Sequence, residues 1–277
     1  MTALFLYYKI GYMFELNKTL TFKFFTLLYA QAEEFLITLG NIGKDFFSVI
    51  KYVLSFRVKI SETIEQAKRF SFDSLPISLA IVGMTSAIIA MQLAPELAKQ
   101  GGADYTGMLS GLVMVRELAV VMSGFAIISM VGSSFASEIA SMSVTEQINA
   151  MRVVKVEPVE YLIVPRFLAG FIFMPAVFIV SAVFGLVCAG YISNWTADLS
   201  LLNYVNSLWH GLYLRDIFIA ILKSAFFGGT IALISCSCGY SCRGGAKEVG
   251  FATTKAVVWS FLAIAVWDFV FASIFYL

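Results

Sequence analysis

Four ionisable residues interrupt otherwise apolar stretches of this 277-residue chain: Arg116, Glu117, Lys223 and Asp268. A charged side chain at the centre of a membrane-spanning helix costs about 2.5–3.5 kcal/mol unless it is paired or hydrated, so such residues indicate a substrate or ion pathway. Two acids and two bases can also neutralise one another in salt bridges that only hold helices together. The sequence leaves both interpretations open.

Other residue types suited to chemistry give weaker signals. Cys236, Cys238 and Cys242 have a C-x-C-x3-C spacing that is not a zinc pattern, and the single histidine, His210, is predicted on the other side of the membrane. We expect no metal site, no cofactor on this chain, and reduced, structural cysteines, Cys188 included. The run GGAKEVGFATTK is not a phosphate-binding loop. The chain is therefore not expected to be an enzyme, and uphill transport would take its energy from a partner or an ion gradient.

The composition identifies the solvent of the fold. Hydrophobic residues make up 60% of the chain and charged residues 13%, whereas soluble domains have about 45–50% and 25%. The formal net charge of +1 gives no reason to expect nucleic-acid binding. We predict an all-α integral membrane protein.

Charge-poor runs of roughly 20 residues predict where the chain crosses a bilayer. Five such spans are predicted, at about residues 74–95, 105–135, 162–194, 216–240 and 255–276. The segment from Leu199 to Leu214 is too short and polar to cross, so we place it at the far surface as a short helix or loop.

The distribution of Lys and Arg predicts the orientation. Nine of them precede the first span, whereas the opposite side would hold only Lys99 and Arg215. The N-terminus is therefore predicted to be cytoplasmic and the C-terminus periplasmic.

Residues 1–72 form an N-terminal region in which apolar residues from Phe22 to Val53 recur every three or four positions. We interpret this pattern as an amphipathic helix at the membrane interface, or as a peripheral helix packed on the transmembrane bundle. Residues 73–277 are predicted to form that bundle.

A short amphipathic helix is predicted over residues 143–153, between spans two and three on the cytoplasmic side. Ser143 precedes Glu146 by three residues, which is the spacing of a capping box, and Ile148 and Met151 then share one helical face. That face could pack on the bundle itself or enter a groove in a soluble partner.

Longer motifs resemble a known family. The chain contains, in order, RELAVVMSGFAIISMVGSSFASEIASMSVTEQINAM, EPVEYLIVPRFLAG and KSAFFGGTIALISCSCGYSCRGGAKEVGFATTKAVVWS. Over about residues 70–277 it resembles the MlaE (YrbE) family of ABC-transporter permeases. The resemblance implies a homodimer in the bacterial inner membrane that moves phospholipid or a related lipid. It further implies a separate cytoplasmic ABC ATPase, which binds ATP and Mg, and an MCE-domain substrate-binding protein. A STAS-type accessory subunit is an additional partner that the resemblance allows.

The resemblance also implies roles for individual residues. Arg116, Glu117, Lys223 and Asp268 match charged positions that shape the cavity for a lipid head group. The helix over residues 143–153 matches the coupling helix that contacts the ATPase. The candidate contacts for the ATPase are Glu138, Thr145, Glu146, Gln147, Ile148 and Met151.

The chain departs from the family pattern at four positions. Ala119 and Val120 replace a Gly-Pro pair, and Ser129 and Met130 replace a Gly-Arg pair. Loss of the proline removes an expected source of a helix kink, and loss of the arginine removes a basic group. We expect both changes to affect the cavity and its substrate. Two alternatives to an ATP-driven permease remain: a secondary transporter driven by a gradient, and a scaffold that anchors an MCE-domain partner.

Overall fold

The computed structural model describes residues 32, 33, 35–55 and 59–276 of the chain. Contacts divide the chain into two compact units, residues 1–44 and 45–277. The described residues of the first unit are all helical. The amphipathic pattern that starts at Phe22 therefore lies partly outside the described residues, and its interfacial position remains a prediction. In the second unit, residues 45–54 are also helical, with Val49 fully buried.

The remainder of the second unit is built from helices. Residues 59–276 form seven, numbered here α1 (Ile60–Lys99), α2 (Ala103–Val144), α3 (Gln147–Val153), α4 (Val159–Ala197), α5 (Leu201–Gly211), α6 (Leu214–Tyr240) and α7 (Ala246–Phe275). Five of these, α1, α2, α4, α6 and α7, are long and apolar enough to cross a membrane. The predictions of an all-α integral membrane protein and of five spans are confirmed.

The helices are longer than the predicted spans. Helix α2, for example, has 42 residues, which correspond to about 63 Å at 1.5 Å per residue, whereas the hydrocarbon core is about 30 Å thick. Charge-free runs in the sequence mark only the part of each helix that lies inside the hydrocarbon core. Charged residues beyond that part continue the same helices on either side of the membrane.

Two π-helical turns interrupt α2, at Met114–Leu118 and Ile128–Gly132. The first contains two of the predicted site residues and ends directly before Ala119 and Val120, where the family pattern has Gly-Pro. Such turns are themselves a cause of helix bending and occur often at functional sites. Helix α2 is therefore irregular at this point, although it lacks the proline of the family pattern.

Helix α6 lies at the centre of the bundle. It packs against α2, α4 and α7, and 67% of its apolar stretch is buried, against 17% for α7. The contact with α4 is made by two glycines: a Cβ added to Gly228 would lie 2.2 Å from the carbonyl oxygen of Gly170. Only residues without side chains allow the two backbones to approach so closely.

Helix α5 is short and packs on the beginning of α2. Its Tyr204 is buried, and the hydroxyl groups of Tyr204 and Ser110 lie 3.0 Å apart. The segment from Leu199 to Leu214, which was predicted to be a short helix or loop, therefore contains a helix, α5.

Candidate functional site

Lys223 of α6 is the centre of an ion cluster that joins three spans. Its side chain is fully buried, and Nζ donates to Oε2 of Glu117 in α2 at 2.6 Å and also contacts the Asp268 carboxylate of α7. A third contact runs from Nζ to the carbonyl oxygen of Arg116 at 3.2 Å, within the π-helical turn. We call Lys223, Glu117 and Asp268 the Lys223 cluster.

The Lys223 cluster carries one positive and two negative formal charges. The two carboxylates are not fully enclosed, since the side chains of Glu117 and Asp268 are 37% and 28% exposed. The ammonium group, by contrast, is inaccessible. Its hydrogen bonds are directed at acceptors of its own chain, so Lys223 holds α2, α6 and α7 together rather than presenting a free cation.

Arg116, the fourth charge predicted for the cavity, belongs to a separate pair. Its Nη2 donates to Oδ2 of Asp216 at 3.1 Å, and its guanidinium lies 4.7 Å from the ring centroid of Tyr276. Asp216 precedes Lys223 by seven residues, or two helical turns, and thus shares its face of α6. Sequence reasoning missed Asp216, although this spacing was a usable signal.

A second ion cluster lies towards the other end of the bundle. Oε2 of Glu138 in α2 accepts from Arg69 of α1 at 3.0 Å and from Arg166 of α4 at 2.9 Å. The Arg166 side chain is 5% exposed and also donates to the carbonyl oxygen of Leu162. Glu138 was expected to contact an ATPase, but its carboxylate points to two arginines of its own bundle. It therefore contributes to helix packing, and its contact with an ATPase stays a prediction.

The predicted capping box is wrong. Ser143 lies in the last turn of α2, which continues to Val144, and its hydroxyl donates to the carbonyl oxygen of Cys242 at 2.8 Å. Glu146 has a left-handed backbone with φ of 61° and forms the turn before α3 without a side-chain cap. The Ser143–Glu146 spacing did not mark the start of a helix, because α2 continues to Val144 and α3 begins only at Gln147.

The expected ATPase contacts divide into two groups. Thr145, Glu146 and Gln147 are exposed, whereas Ile148 is 5% exposed and packs on the bundle, with Met151 at intermediate exposure. The assignment of Ile148 as a partner contact is therefore corrected, because a buried side chain offers no surface.

Two apolar residues that the prediction did not include, Val153 and Val154, are 83% and 68% exposed. They end α3 and follow it, next to the expected contacts. We call residues 145–154 the coupling segment.

The coupling segment is bonded to the end of α6. Arg152 donates from Nη2 to the hydroxyl of Tyr240, and the bond from Ser143 to Cys242 lies beside it. A cleft of about 130 Å³ separates α3 from the loop after α6 and includes Arg152 and Arg243 in its lining. A displacement of α3 would therefore act directly on α6.

The cysteines are unpaired by disulfides. All four are free thiols, and the described residues contain no group of three His, Cys, Asp or Glu side chains that could hold an ion. Burial raises the pKa of the Cys242 thiol, and the nearby Glu248 carboxylate raises it further. A protonated thiol is a poor ligand and a poor nucleophile.

Comparison with known proteins decides the family. The family model described as Permease MlaE matches residues 63–274. The chain belongs to the MlaE permease family. This MlaE permease is 35% identical to a probable ABC transporter permease protein of Synechocystis sp. over 221 residues, which are 80% of this chain and 84% of that protein. A probable ABC transporter permease protein of Rickettsia felis is 29% identical over 243 residues, covering 88% of this chain and 94% of the relative.

A plant protein is also similar. The chloroplastic protein TRIGALACTOSYLDIACYLGLYCEROL 1 of Arabidopsis thaliana is 32% identical over 228 residues, which are 82% of this chain and 65% of the plant protein. The resemblance drawn from the motifs is confirmed, and the chain is a multi-pass ABC-transporter permease of the MlaE family.

Proposed function

We propose that this MlaE permease is the membrane subunit of an ABC transporter that moves phospholipid or a related hydrophobic lipid between the inner membrane and the outer envelope. Two copies form the permease, a separate cytoplasmic ATPase binds ATP and Mg, and an MCE-domain protein receives or delivers the lipid on the opposite face. A STAS-type subunit completes the proposed assembly. The family match supports this function, as does a relative named after a galactolipid.

The observation that carries the proposal is the connection between the coupling segment and α6. Exposed residues at Thr145, Glu146 and Val153 provide the surface for an ATPase. The bond from Arg152 to Tyr240 joins this surface to the helix that carries Lys223. Movement of the ATPase would thus reach the ion cluster through one rigid helix.

The structure also supports the proposed topology. Arg152, from the loop after α2, and Arg243, from the loop after α6, line the same cleft. An odd number of spans with a cytoplasmic N-terminus places both of these loops on the cytoplasmic side, where basic residues concentrate. The C-terminus then lies on the periplasmic side together with α5.

Partial exposure of the Lys223 cluster supports a dimer with a hydrated or lipid-filled cavity. Charged side chains within a membrane face the interior of a bundle or a water-containing space rather than lipid tails. In a single copy, Glu117 and Asp268 retain exposure of about one third at the bundle surface. A second copy placed against this side would enclose both carboxylates.

A secondary transporter would use the same two carboxylates differently. Glu117 and Asp268 share one ammonium group, so binding of a proton would neutralise the cluster. The names of the relatives favour ATP as the energy source instead. Transport in liposomes with a pH gradient and no ATPase would distinguish this alternative.

The test is purification of the tagged permease from its native membranes, with quantitative mass spectrometry of the proteins and lipids that accompany it. The wild type should recover an ABC ATPase together with phospholipid. Glu146→Lys and Val153→Glu should lose the ATPase and keep the lipid, because both change only the coupling segment.

The matched control is Leu202→Glu, a similarly exposed apolar position on α5, 69% exposed, at the opposite end of the bundle. This variant should keep the ATPase. Equal recovery of the ATPase with all three variants would contradict the proposed coupling surface, and a wild type without any ATPase would contradict the function.

A further inference from the structure

Helix α5 has three faces, and the bundle covers only one of them. This inner face includes Tyr204 and Gly211, which are both buried. It packs closely on α2: a Cβ added to Gly107 would lie 2.2 Å from the carbonyl oxygen of Tyr204. The hydroxyl of Ser207 also accepts a hydrogen bond from the backbone N–H of Met108 at 3.0 Å. These contacts fix α5 on the bundle and determine which faces remain outside.

The two remaining faces of α5 differ in polarity. Both are exposed, and on each the residues recur at spacings of three and four, which place them side by side on a helix. The apolar face consists of Leu202, Val205 and Trp209, of which Trp209 is 75% exposed. The polar face consists of Asn203, Asn206 and His210. Two exposed faces of opposite polarity are typical of a helix that lies between lipid and water.

Contacts with two spans show the depth of α5. Tyr204 and the preceding Leu199 form one core cluster with Ala90 of α1 and Ala189 of α4. Ala90 precedes Glu96, the first charged residue after the apolar part of α1, by six residues, or about 9 Å. The start of α5 therefore lies beside the outer part of the apolar spans rather than above the bundle.

Exposed aromatic residues lie on the segments that flank α5 in the chain. Tyr191 and Trp195, near the end of α4, are 63% and 76% exposed, and Tyr213, directly before α6, is 66% exposed. Tyr and Trp concentrate at the boundary between membrane and water, because their rings are apolar while the O–H or N–H group stays hydrated. The segments on both sides of α5 thus carry residues typical of this boundary.

The α5 segment lacks the charges that attach many surface helices to anionic membranes. The sequence from Leu199 to Leu214 contains no Asp, Glu, Lys or Arg. Helices that rely on anionic lipids carry Lys and Arg on their polar face, whereas the polar face of α5 carries two amides and an imidazole. Its surface therefore suits the apolar zone of a bilayer, whatever the charge of the lipid head groups.

We propose that α5 is an interfacial helix that inserts its apolar face into the lipid leaflet on its own side of the membrane and keeps its polar face in water. In the proposed topology, this is the periplasmic leaflet. Transfer of Leu202, Val205 and Trp209 from water to lipid is favourable. Because α5 is packed tightly on α2, its insertion also anchors the beginning of α2 at the membrane boundary. The inference requires neither an ATPase nor a transported lipid, since it concerns the bilayer around the permease.

The test measures which quenchers reach Trp209 in the purified permease, reconstituted in phosphatidylcholine nanodiscs. The chain has four tryptophans, so the emission of Trp209 is obtained as the difference between the wild type and Trp209→Phe. Phosphatidylcholine with brominated acyl chains quenches from within the leaflet, and iodide quenches from the water. The matched control is Asn203→Trp in the Trp209→Phe background, which moves the indole to the polar face of the same helix.

Brominated lipid should reduce the emission of Trp209 at least about twofold, whereas iodide should leave most of it. The control should show the reverse, with iodide as the stronger quencher. Quenching of Trp209 by iodide and not by brominated lipid would overturn the proposal, because the apolar face would then lie in water. Equal quenching of Trp209 and the control indole by brominated lipid would also overturn it, since the bilayer would not distinguish the two faces. Both positions are exposed, so neither substitution disturbs the packing of α5.

Two further measurements separate the proposed contact from other occupants of the apolar face. Partial replacement of phosphatidylcholine by phosphatidylglycerol should leave the quenching unchanged, and a contact that requires the anionic lipid would overturn its apolar basis. The same quenching should be found in the complex purified from native membranes. Loss of quenching by brominated lipid in that complex alone would assign the apolar face to a protein partner and overturn insertion into lipid.

Discussion

Replacing Lys223 by methionine removes the cation that both Glu117 and Asp268 contact. The substitution conserves most of the side-chain volume but leaves two carboxylates facing one another within the membrane. Removing one partner of a buried ion pair costs about 3–5 kcal/mol because the remaining charge is uncompensated. Lys223 is fully buried and binds two acids, so we expect a loss within this range, reduced at most partly by the residual exposure of the acids.

The measurement is the apparent Tm of the purified permease in mild detergent. At about 2–4 °C per kcal/mol for a chain of this size, the expected decrease is about 6–20 °C. The decisive control is the triple variant Lys223→Met, Glu117→Gln, Asp268→Asn. Neutralising the whole cluster removes the uncompensated charges, so the triple variant should recover most of the lost stability.

Two results would contradict a role for charge in the stability of the Lys223 cluster. A decrease in Tm below about 2 °C for Lys223→Met would mean that the acids do not need the cation. A triple variant no more stable than the single variant would mean that the loss came from packing rather than charge. The triple variant also separates structure from function: if it is stable and still supports transport, the cluster only holds the helices together.

Three further predictions concern backbone contacts and a thiol. Gly228→Ala should destabilise the permease by about 3 kcal/mol, because the new Cβ would overlap the Gly170 carbonyl. Gly250→Ala meets open space within α7 and should instead raise Tm slightly, because alanine is favoured over glycine in a helix. Lys155→Gly should raise Tm by about 1–4 °C, since φ is 60° at this residue and glycine adopts that conformation without strain. Maleimide should modify Cys242 of the folded permease slowly at neutral pH and faster only above the usual thiol pKa, because burial raises its pKa. Rapid labelling of the folded permease at neutral pH, quantified afterwards by mass spectrometry of the digested Cys242 peptide, would contradict the buried position.

The fold was largely predictable because membrane insertion follows from local composition. Charge-free runs predicted all five spans. The orientation that the Lys and Arg pattern indicates stays a prediction. The helix ends were not predictable in this way. Beyond the hydrocarbon core, charged residues continue the helices: α2 runs on through Glu138, which pairs with Arg69 and Arg166, to Val144.

The candidate site was predicted in its residue types but not in its pairing. Lys223 and Glu117 are 106 positions apart, and no local pattern specifies that their helices meet. Asp216 escaped notice because it lies at the start of a span, where a charge needs no special explanation. The capping-box error has a similar origin, since the motif at Ser143 does not reveal that α2 still continues through it.

ATP-driven lipid transfer by the reconstituted complex is the direct test of the proposed transport function. Liposomes containing the permease and its ATPase would be loaded with isotope-labelled phospholipid and incubated with the MCE-domain partner as acceptor. We predict transfer that requires ATP and is abolished by Glu146→Lys in the permease. Transfer that proceeds without the ATPase when a pH gradient is applied, or no dependence on ATP in the complete complex, would contradict an ATP-driven permease.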